Sequence, residues 1–162
     1  MAAIFINYRS QSEAYAAALL DERLSKRFGS NQVFRASRSI DAGEDYELAI
    51  TRAIEQCAAM LVIVGPNWSQ HFTKGADTDW VLQEITKAMA LTIPIIPVLL
   101  SKVDRLRAEE VPTELAKLAR VQYLRFDYRN LDQDAEKIAQ ELAGSVSPPP
   151  PRRRWRFRKK GR

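Results

Sequence analysis

Met60-Leu61-Val62-Ile63-Val64, followed at once by Gly65-Pro66, is the stretch that decides the fold. A short apolar run without polar alternation indicates a strand that is buried on both faces, as in a parallel sheet between two helical layers. Strand-like segments also cover residues 3–8, 32–34, 93–100 and 121–126, and helix-like spacing of apolar residues separates the five segments. This alternation predicts an α/β fold, a doubly wound sheet of five parallel strands flanked by helices on both faces.

Several details of these elements are open to test. The first helix is expected to have Ser10 as its cap, and the second to follow the polar, irregular segment 35–43. The side chains expected to point inward are Tyr15, Leu19, Leu20, Leu24 and Phe28 in the first helix, and Leu48, Ile50, Ile54 and Cys57 in the second. Prolines at positions 94 and 97 predict the end or edge of a strand, because proline cannot donate to a ladder.

The composition limits the possible chemistry. The chain has 162 residues, 46% of them hydrophobic, which suffices for one domain, expected over residues 1–144. A single cysteine and a single histidine exclude an internal disulfide and a cysteine- or histidine-rich metal site, so no metal is expected. Without an apolar run of about 20 residues or a basic leader, the chain is expected to be cytoplasmic.

The net charge of +5 is concentrated at one end. Eight Lys or Arg and no acid lie in residues 152–162, and the remaining 17 basic and 20 acidic residues give the rest of the chain a formal charge of −3. The body is therefore not expected to bind nucleic acid. Residues 145–162 are expected to form a proline-rich spacer and a polybasic tail, placed at an anionic membrane surface. The alternatives are the flank of a membrane helix that lies beyond residue 162, contact with nucleic acid, and a disordered tail.

The predicted topology collects polar residues at one edge of the sheet. Segments 7–10, 35–43 and 65–79 follow the first three strands, and ligands of such sheets bind at the carboxyl ends of the strands. In Asp79-Trp80-Val81-Leu82-Gln83-Glu84, Trp80 and Glu84 stand four residues apart, so a helix that Asp79 or Thr78 caps presents both on one face. An aromatic ring beside a carboxylate suits a cationic, sugar-like transition state. Otherwise Trp80 packs in the core and Glu84 is a solvated helix residue.

Five motifs in order resemble those of TIR (Toll/interleukin-1 receptor) domains. They are Phe5-Ile6-Asn7-Tyr8-Arg9-Ser10, the stretch from Val33-Phe34 to Ile40-x-x-Gly43, Leu61-Val62-Ile63-Val64-Gly65-Pro66-x-Trp68, Asp79-Trp80-x-x-x-Glu84-Ile85, and Ile95-Ile96-Pro97-Val98-Leu99. The resemblance covers residues 3–143 and is closest to bacterial members. It implies a flavodoxin-like fold and, through Trp80-x-x-x-Glu84, cleavage of the nicotinamide–ribose bond of NAD+ as substrate, with no cofactor.

The resemblance also assigns roles to individual residues. Glu84 falls on the catalytic glutamate, and Trp80 on the tryptophan of its motif. The substrate-binding positions fall on Tyr8, Arg9 and Ser10 in the first box and, in the loop that the family calls the BB loop, on residues 35–43, including Arg35, Ser37, Ile40 and Gly43. Nicotinamide leaves as a neutral molecule, so the protein must mainly stabilise a cationic ribose, which one carboxylate can do. Arg9 and Arg35 are expected to meet the diphosphate, and Trp80 or Tyr8 to stack on a ring.

Two classes of function remain open. In the first, the chain is an NAD+ nucleosidase that is switched on when TIR domains assemble through the BB loop, as in bacterial defence against phage. In the second, the same loop only recruits other TIR domains, without catalysis. The BB loop, with Arg35 and Arg38, is more basic than in many bacterial relatives, which leaves its partners open. A phospho-acceptor receiver domain is excluded, because Val64-Gly65 stands where its aspartate is needed.

Overall fold

A five-stranded parallel sheet forms the centre of the protein. The computed structural model describes residues 2–72 and 79–146. Within them the strands are β1 Ile4–Asn7, β2 Val33–Phe34, β3 Ala59–Val64, β4 Ile95–Leu100 and β5 Leu124–Phe126. All four pairings are parallel and the order is β2-β1-β3-β4-β5, which confirms the predicted doubly wound, flavodoxin-like sheet.

Helices connect the strands. They are α1 Ala14–Phe28, α2 Ala36–Ser39, α3 Tyr46–Gln56, α4 Trp80–Ala90 and α5 Leu131–Leu142. Short 3₁₀ helices lie at Ser30–Gln32, Trp68–His71, Ala108–Glu110 and Thr113–Ala119. No helix in the described ranges is both long and apolar enough to span a bilayer.

The central strand β3 divides the core into two layers. All six of its residues are buried. Met60, Val62 and Val64 belong to the core on the side of α3 and α4, whereas Leu61 and Ile63 belong to the core beneath α1 and α5. The unbroken apolar run that predicted this strand therefore follows from burial on both faces.

The first helix differs from its prediction. It begins at Ala14, with Glu13 at the cap position, because residues 9–13 form a hydrogen-bonded turn in which the Ser12 and Glu13 amides both donate to the Arg9 carbonyl. Ser10 is therefore not the cap. Tyr15 and Leu19 are exposed, at 89% and 36%. The buried face consists of Ala17, Leu20, Asp21, Leu24 and Phe28.

Three smaller differences follow from local contacts. Leu48 is 46% exposed rather than inward. Residues 36–39 form the helical turn α2 where irregular structure was expected, and the Arg35 amide donates to Ser39 Oγ there at 3.0 Å. The core also extends past residue 144, because Val146 is buried against the α1 and α5 layer.

Proline in β4 occupies a position that tolerates a missing donor. Pro97 lies inside the strand, opposite Val62 of β3, but pairing with β5 begins only at Val98. On the β5 side the strand is therefore an edge at Pro97, as its proline predicted.

Candidate active site

A cleft of about 310 Å³ opens at the carboxyl end of β1, the strand from which the strand order runs in both directions. The segments after β2 and β3 contribute Ala36 and His71 to it. The structure brings five of the predicted site residues to its wall, namely Tyr8, Arg9, Ser10, Trp80 and Glu84. The first three follow β1, and the last two come from the first turns of α4. The topology thus places side chains more than 70 positions apart around one space.

Glu84 is the buried carboxylate of this cleft. Only 8% of its surface is exposed, so it is not a solvated helix residue. Asp79 precedes α4, the helix that carries Glu84, and accepts a hydrogen bond from the Leu82 amide at 3.3 Å, which confirms Asp79 as the cap. Thr78, the alternative cap, lies outside the described residues. Trp80 and Glu84 therefore face the cleft one turn apart, as their spacing predicted.

The pKa of Glu84 is raised from 4.5 to about 8. Burial is the largest cause, because the charged form loses its hydration, and the negative charge of Asp79 adds to the rise. A hydrogen bond from Asn7 acts in the opposite direction. The carboxyl is therefore poised to take or lose a proton near neutral pH, and a cation in the cleft would favour its charged form.

Asn7 makes a buried hydrogen bond to the Glu84 carboxylate. It is the last residue of β1 and is fully buried. Its Nδ2 donates to Glu84 Oε2 at 2.7 Å and to the Val81 carbonyl at 3.4 Å, while its Oδ1 has no partner among residues 2–72 and 79–146. Asn7 was not among the predicted site residues, although an amide at the end of an otherwise apolar strand was a usable signal.

Two aromatic rings form one wall of the cleft. Trp80 and Tyr46 meet edge to face, with ring centroids 5.6 Å apart. Trp80 also packs against the core, so its two alternative roles both hold. Burial raises the pKa of Tyr46 above its ordinary value, and the nearby Glu84 and Tyr8 raise it further. Tyr46 and His71, which also lines the cleft, were not among the predicted site residues.

Arg9 is already paired. Its Nη1 and Nη2 donate to Asp79 Oδ1 and Oδ2 at 3.3 and 3.0 Å, and its guanidinium lies 4.6 Å from the centre of the Phe72 ring. This arrangement fixes the start of α4 against the end of β1. A contact of Arg9 with a diphosphate stays a prediction, and it requires the guanidinium to be shared with Asp79.

Of residues 35–43, Ala36 lines the cleft, whereas the named contacts Arg35, Ser37, Ile40 and Gly43 do not. The Arg35 Nε donates to Asp21 on α1 at 2.7 Å, so its guanidinium is already paired within the chain. Ile40 packs against the core, and Gly43 is exposed with a φ of 90°. Ser37 reaches the cleft only indirectly, because its Oγ accepts a hydrogen bond from the Tyr8 hydroxyl at 3.1 Å.

A larger cleft of about 540 Å³ lies at the ends of β3 and β4, between the segment after β3 and residues 103–110. Its carboxylates, Asp104 and Glu110, are exposed, and Arg107 lies 4.0 Å from Glu110. It therefore lacks a buried acid such as Glu84, and we assign the chemistry to the smaller cleft.

The model of the TIR domain family matches residues 4–143. The chain belongs to the TIR domain family. Among curated proteins none matches it significantly. The TIR domain is also similar to solved structures.

Three of these structures show the range of the likeness. The TIR domains of the activated Roq1 resistosome, which directly recognises the pathogen effector XopQ, are 16% identical over 87% of this chain and 96% of theirs, with a TM-score of 0.60. The TIR domain of the Toll-related receptor TRR-2 of Hydra magnipapillata is 18% identical over 89% and 96%, with a TM-score of 0.56. A TIR-STING receptor of C. gigas in complex with 2′,3′-cGAMP is 18% identical, with a TM-score of 0.56, and the match covers 86% of this chain and 40% of the receptor. At these identities the likeness concerns the fold.

Proposed function

We propose that this TIR domain is an NAD+ nucleosidase that cleaves the nicotinamide–ribose bond and releases nicotinamide and ADP-ribose or a cyclic form. The observation that carries the proposal is the buried Glu84 carboxylate in a cleft with an aromatic wall. A buried acid beside aromatic rings suits a substrate that carries positive charge, because the cation both stacks on the rings and favours the ionised carboxylate.

Glu84 is the catalytic residue in this proposal. Its carboxylate stabilises the positive charge that develops on the ribose as nicotinamide departs. Since the leaving group is neutral, no general acid is needed for its departure. Asn7 keeps the carboxylate in place through the 2.7 Å hydrogen bond. The proton that Glu84 holds near neutral pH is lost when the cationic ring enters the cleft.

Tyr8, Arg9, Ser10 and Trp80 are the proposed substrate contacts. Trp80, with Tyr46 beside it, offers an aromatic face for a planar ring. No cofactor is part of the proposal. The chemistry requires a carboxylate, an oriented substrate and a nucleophile for C1′ of the ribose. Water in that role gives ADP-ribose and a proton, and a group of the ADP-ribose itself gives the cyclic form.

Assembly completes the site in this proposal. The cleft is open, and Tyr46 on its rim is 48% exposed, so a lone domain leaves the substrate solvated. Self-association through the exposed residues 41–45 of the BB loop would cover it. The role we infer is defence signalling, against phage if the domain is bacterial.

The second candidate function is a TIR–TIR interaction module without catalysis. It is favoured by the apolar side chains of Tyr46 and Leu48, which are about half exposed next to the BB loop. Such side chains are typical of a contact between proteins. In this case Glu84 would only position the start of α4.

NAD+ consumption separates the two functions. The full chain is assayed at high concentration and on a crowding surface, and released nicotinamide is measured for the wild type and for Glu84→Gln. The amide keeps the size of the side chain and can still accept from Asn7, but it has no charge. We expect nicotinamide release to fall by at least about a hundredfold, as when a group that stabilises developing charge is removed.

Glu141→Gln is the matched control, because Glu141 is an exposed glutamate on α5, away from the cleft. It should retain wild-type activity. If the wild type releases no nicotinamide although sedimentation shows it to be assembled, the interaction module is the better description.

A further inference from the structure

Asp21 is a buried carboxylate within the apolar face of α1. Only 2% of its surface is exposed, and it lies between Ala17 and Leu24 on the buried stripe. Oδ2 accepts hydrogen bonds from Arg35 Nε at 2.7 Å and from Arg38 Nε at 2.6 Å. Oδ1 accepts from Arg38 Nη2 and from Ser25 Oγ, both at 2.8 Å. A buried acid needs such partners to be tolerated.

The two arginines tie the segment between β2 and α3 to the body of the domain. Arg38 Nη2 also donates to the Val33 carbonyl at 2.7 Å, so α2 is linked to both α1 and β2. Burial by itself would raise the pKa of Asp21, but the hydrogen bonds from Arg38, Arg35 and Ser25 hold it below its ordinary value. The carboxylate is therefore charged at neutral pH.

A chain of hydrogen bonds continues from this cluster to the cleft. Arg35 Nη1 donates to Ser37 Oγ at 2.6 Å, and the Tyr8 hydroxyl donates to the same oxygen at 3.1 Å. Tyr8 is part of the cleft wall. By contrast, residues 41–45 are exposed throughout and include Gly43, whose φ of 90° few other residues adopt.

We propose that Asp21 is a positioning residue, which clamps residues 35–39 onto α1, whereas the exposed residues 41–45 lie outside this clamp. Through Arg35 and Ser37 the same clamp holds Tyr8 in the wall of the cleft. The clamp itself does not depend on the reaction, whereas its effect on substrate rests on the proposed function. The two arginines that make the loop basic thus have a partner within the chain, and neither needs to contact NAD+.

Limited digestion with trypsin tests the clamp, because the enzyme cuts after Arg35 and Arg38 when the backbone there opens. The full chain is digested well below its unfolding temperature, and the fragments are identified by mass. In Asp21→Asn two guanidinium groups face an amide without charge. We expect cleavage at these two bonds to accelerate on the order of tenfold or more relative to wild type.

Asp132→Asn is the control, since Asp132 pairs with Arg23 of α1 but is 92% exposed. It should leave both cleavage rates unchanged. If Asp21→Asn does not fold, Arg38→Lys keeps the charge and the trypsin site but loses the two-pronged contact, and cleavage after Arg35 should still accelerate. A folded Asp21→Asn or Arg38→Lys protein with the wild-type rates would overturn the clamp.

Ser37→Ala separates the clamp from its effect on the cleft. This change leaves both arginines on Asp21, so trypsin cleavage should remain within about twofold of wild type. The Tyr8 amide resonance should shift, and KM for NAD+ should rise more than kcat falls. If neither the resonance nor KM changes, the link to Tyr8 is wrong. If the wild type does not consume NAD+ but the digestion and the resonance behave as expected, the proposed function fails and the positioning role stands.

Discussion

Glu84 gives the free energy of unfolding a pH dependence of known sign. Its pKa is about 8 in the folded protein and is taken as 4.5 in the unfolded chain. Between these values the folded state retains a proton that the unfolded state has lost. The stability that Glu84 contributes is therefore fully present below about pH 4.5, falls as the pH rises, and is lost above about pH 8.

Replacing Glu84 by Gln should remove this loss. The free energy of unfolding of Glu84→Gln minus that of wild type should increase by roughly 3–5 kcal/mol when the pH is raised from 5 to 9. Urea unfolding at several pH values measures the difference, and groups common to both proteins cancel. Glu141→Gln should run parallel to wild type. Parallel curves for Glu84→Gln itself would mean that Glu84 ionises freely.

At the scale of single residues, five of the nine predicted site residues line the cleft. The i, i+4 spacing of Trp80 and Glu84 follows from helix geometry alone, and the ends of parallel strands bring Tyr8 near them. The role of Arg35 could not be predicted in this way, because its partner Asp21 is on another element. An aspartate inside the apolar stripe of a helix was the available signal, since a buried acid requires a cation.

The junction of β3 and α1 depends on one glycine. Gly65 follows the last residue of β3, and a Cβ there would lie 2.5 Å from Glu13 Oε1 and 3.0 Å from its Cγ. Glu13 is itself 1% exposed, so it cannot move aside into solvent without disturbing the start of α1. Because a helix start packs closely on a strand end here, a side chain at position 65 requires Glu13 to shift and is therefore costly.

We expect Gly65→Ala to destabilise the domain by about 1–3 kcal/mol, measured by chemical unfolding. Gly144→Ala is the matched control, because nothing lies within 4 Å of a Cβ there. The double variant Glu13→Ala/Gly65→Ala should cost less than the sum of the two single changes, because removal of the carboxylate makes room. Strict additivity would show that the contact does not limit the substitution.

Elements were predicted to different degrees for a physical reason. Strands buried on both faces consist of continuous apolar runs, so β1 and β3 were recognised. β4 was recognised from the same kind of run, although only Pro97, Val98 and Leu99 are fully buried in it.

The face of α1 was predicted in part: Leu20, Leu24 and Phe28 are buried as expected, but Tyr15 and Leu19 are exposed. Tyr15 and Leu19 lie four residues apart, so they satisfy helical periodicity without facing the core. α2 was not predicted, because two side-chain hydrogen bonds hold its single turn. Arg38 donates to Asp21 on α1, and the Arg35 amide donates to Ser39 Oγ.

At the scale of the whole molecule the charge is divided between two parts. Residues 147–162 lie outside the described residues, and they carry eight basic residues, whereas the preceding part has a formal charge of −3. Within residues 2–72 and 79–146 the last buried residue is Val146, and we expect a chain that stops there to keep the packing described above. Removal of residues 147–162 should therefore leave thermal unfolding unchanged.

Binding to vesicles tests the proposal that the tail meets an anionic membrane. The full chain should bind phosphatidylserine-containing vesicles and not neutral ones, because each basic residue near such a surface contributes about 1 kcal/mol. Binding should weaken as salt is added. The chain that stops at Val146 should not bind, since its net charge is negative. Equal binding by both chains, or none by either, would reject the proposal, and displacement from vesicles by equimolar RNA would favour a nucleic acid instead.

Replacing Trp155 and Phe157 by Ala should weaken binding at high salt most, because their apolar contribution is not screened.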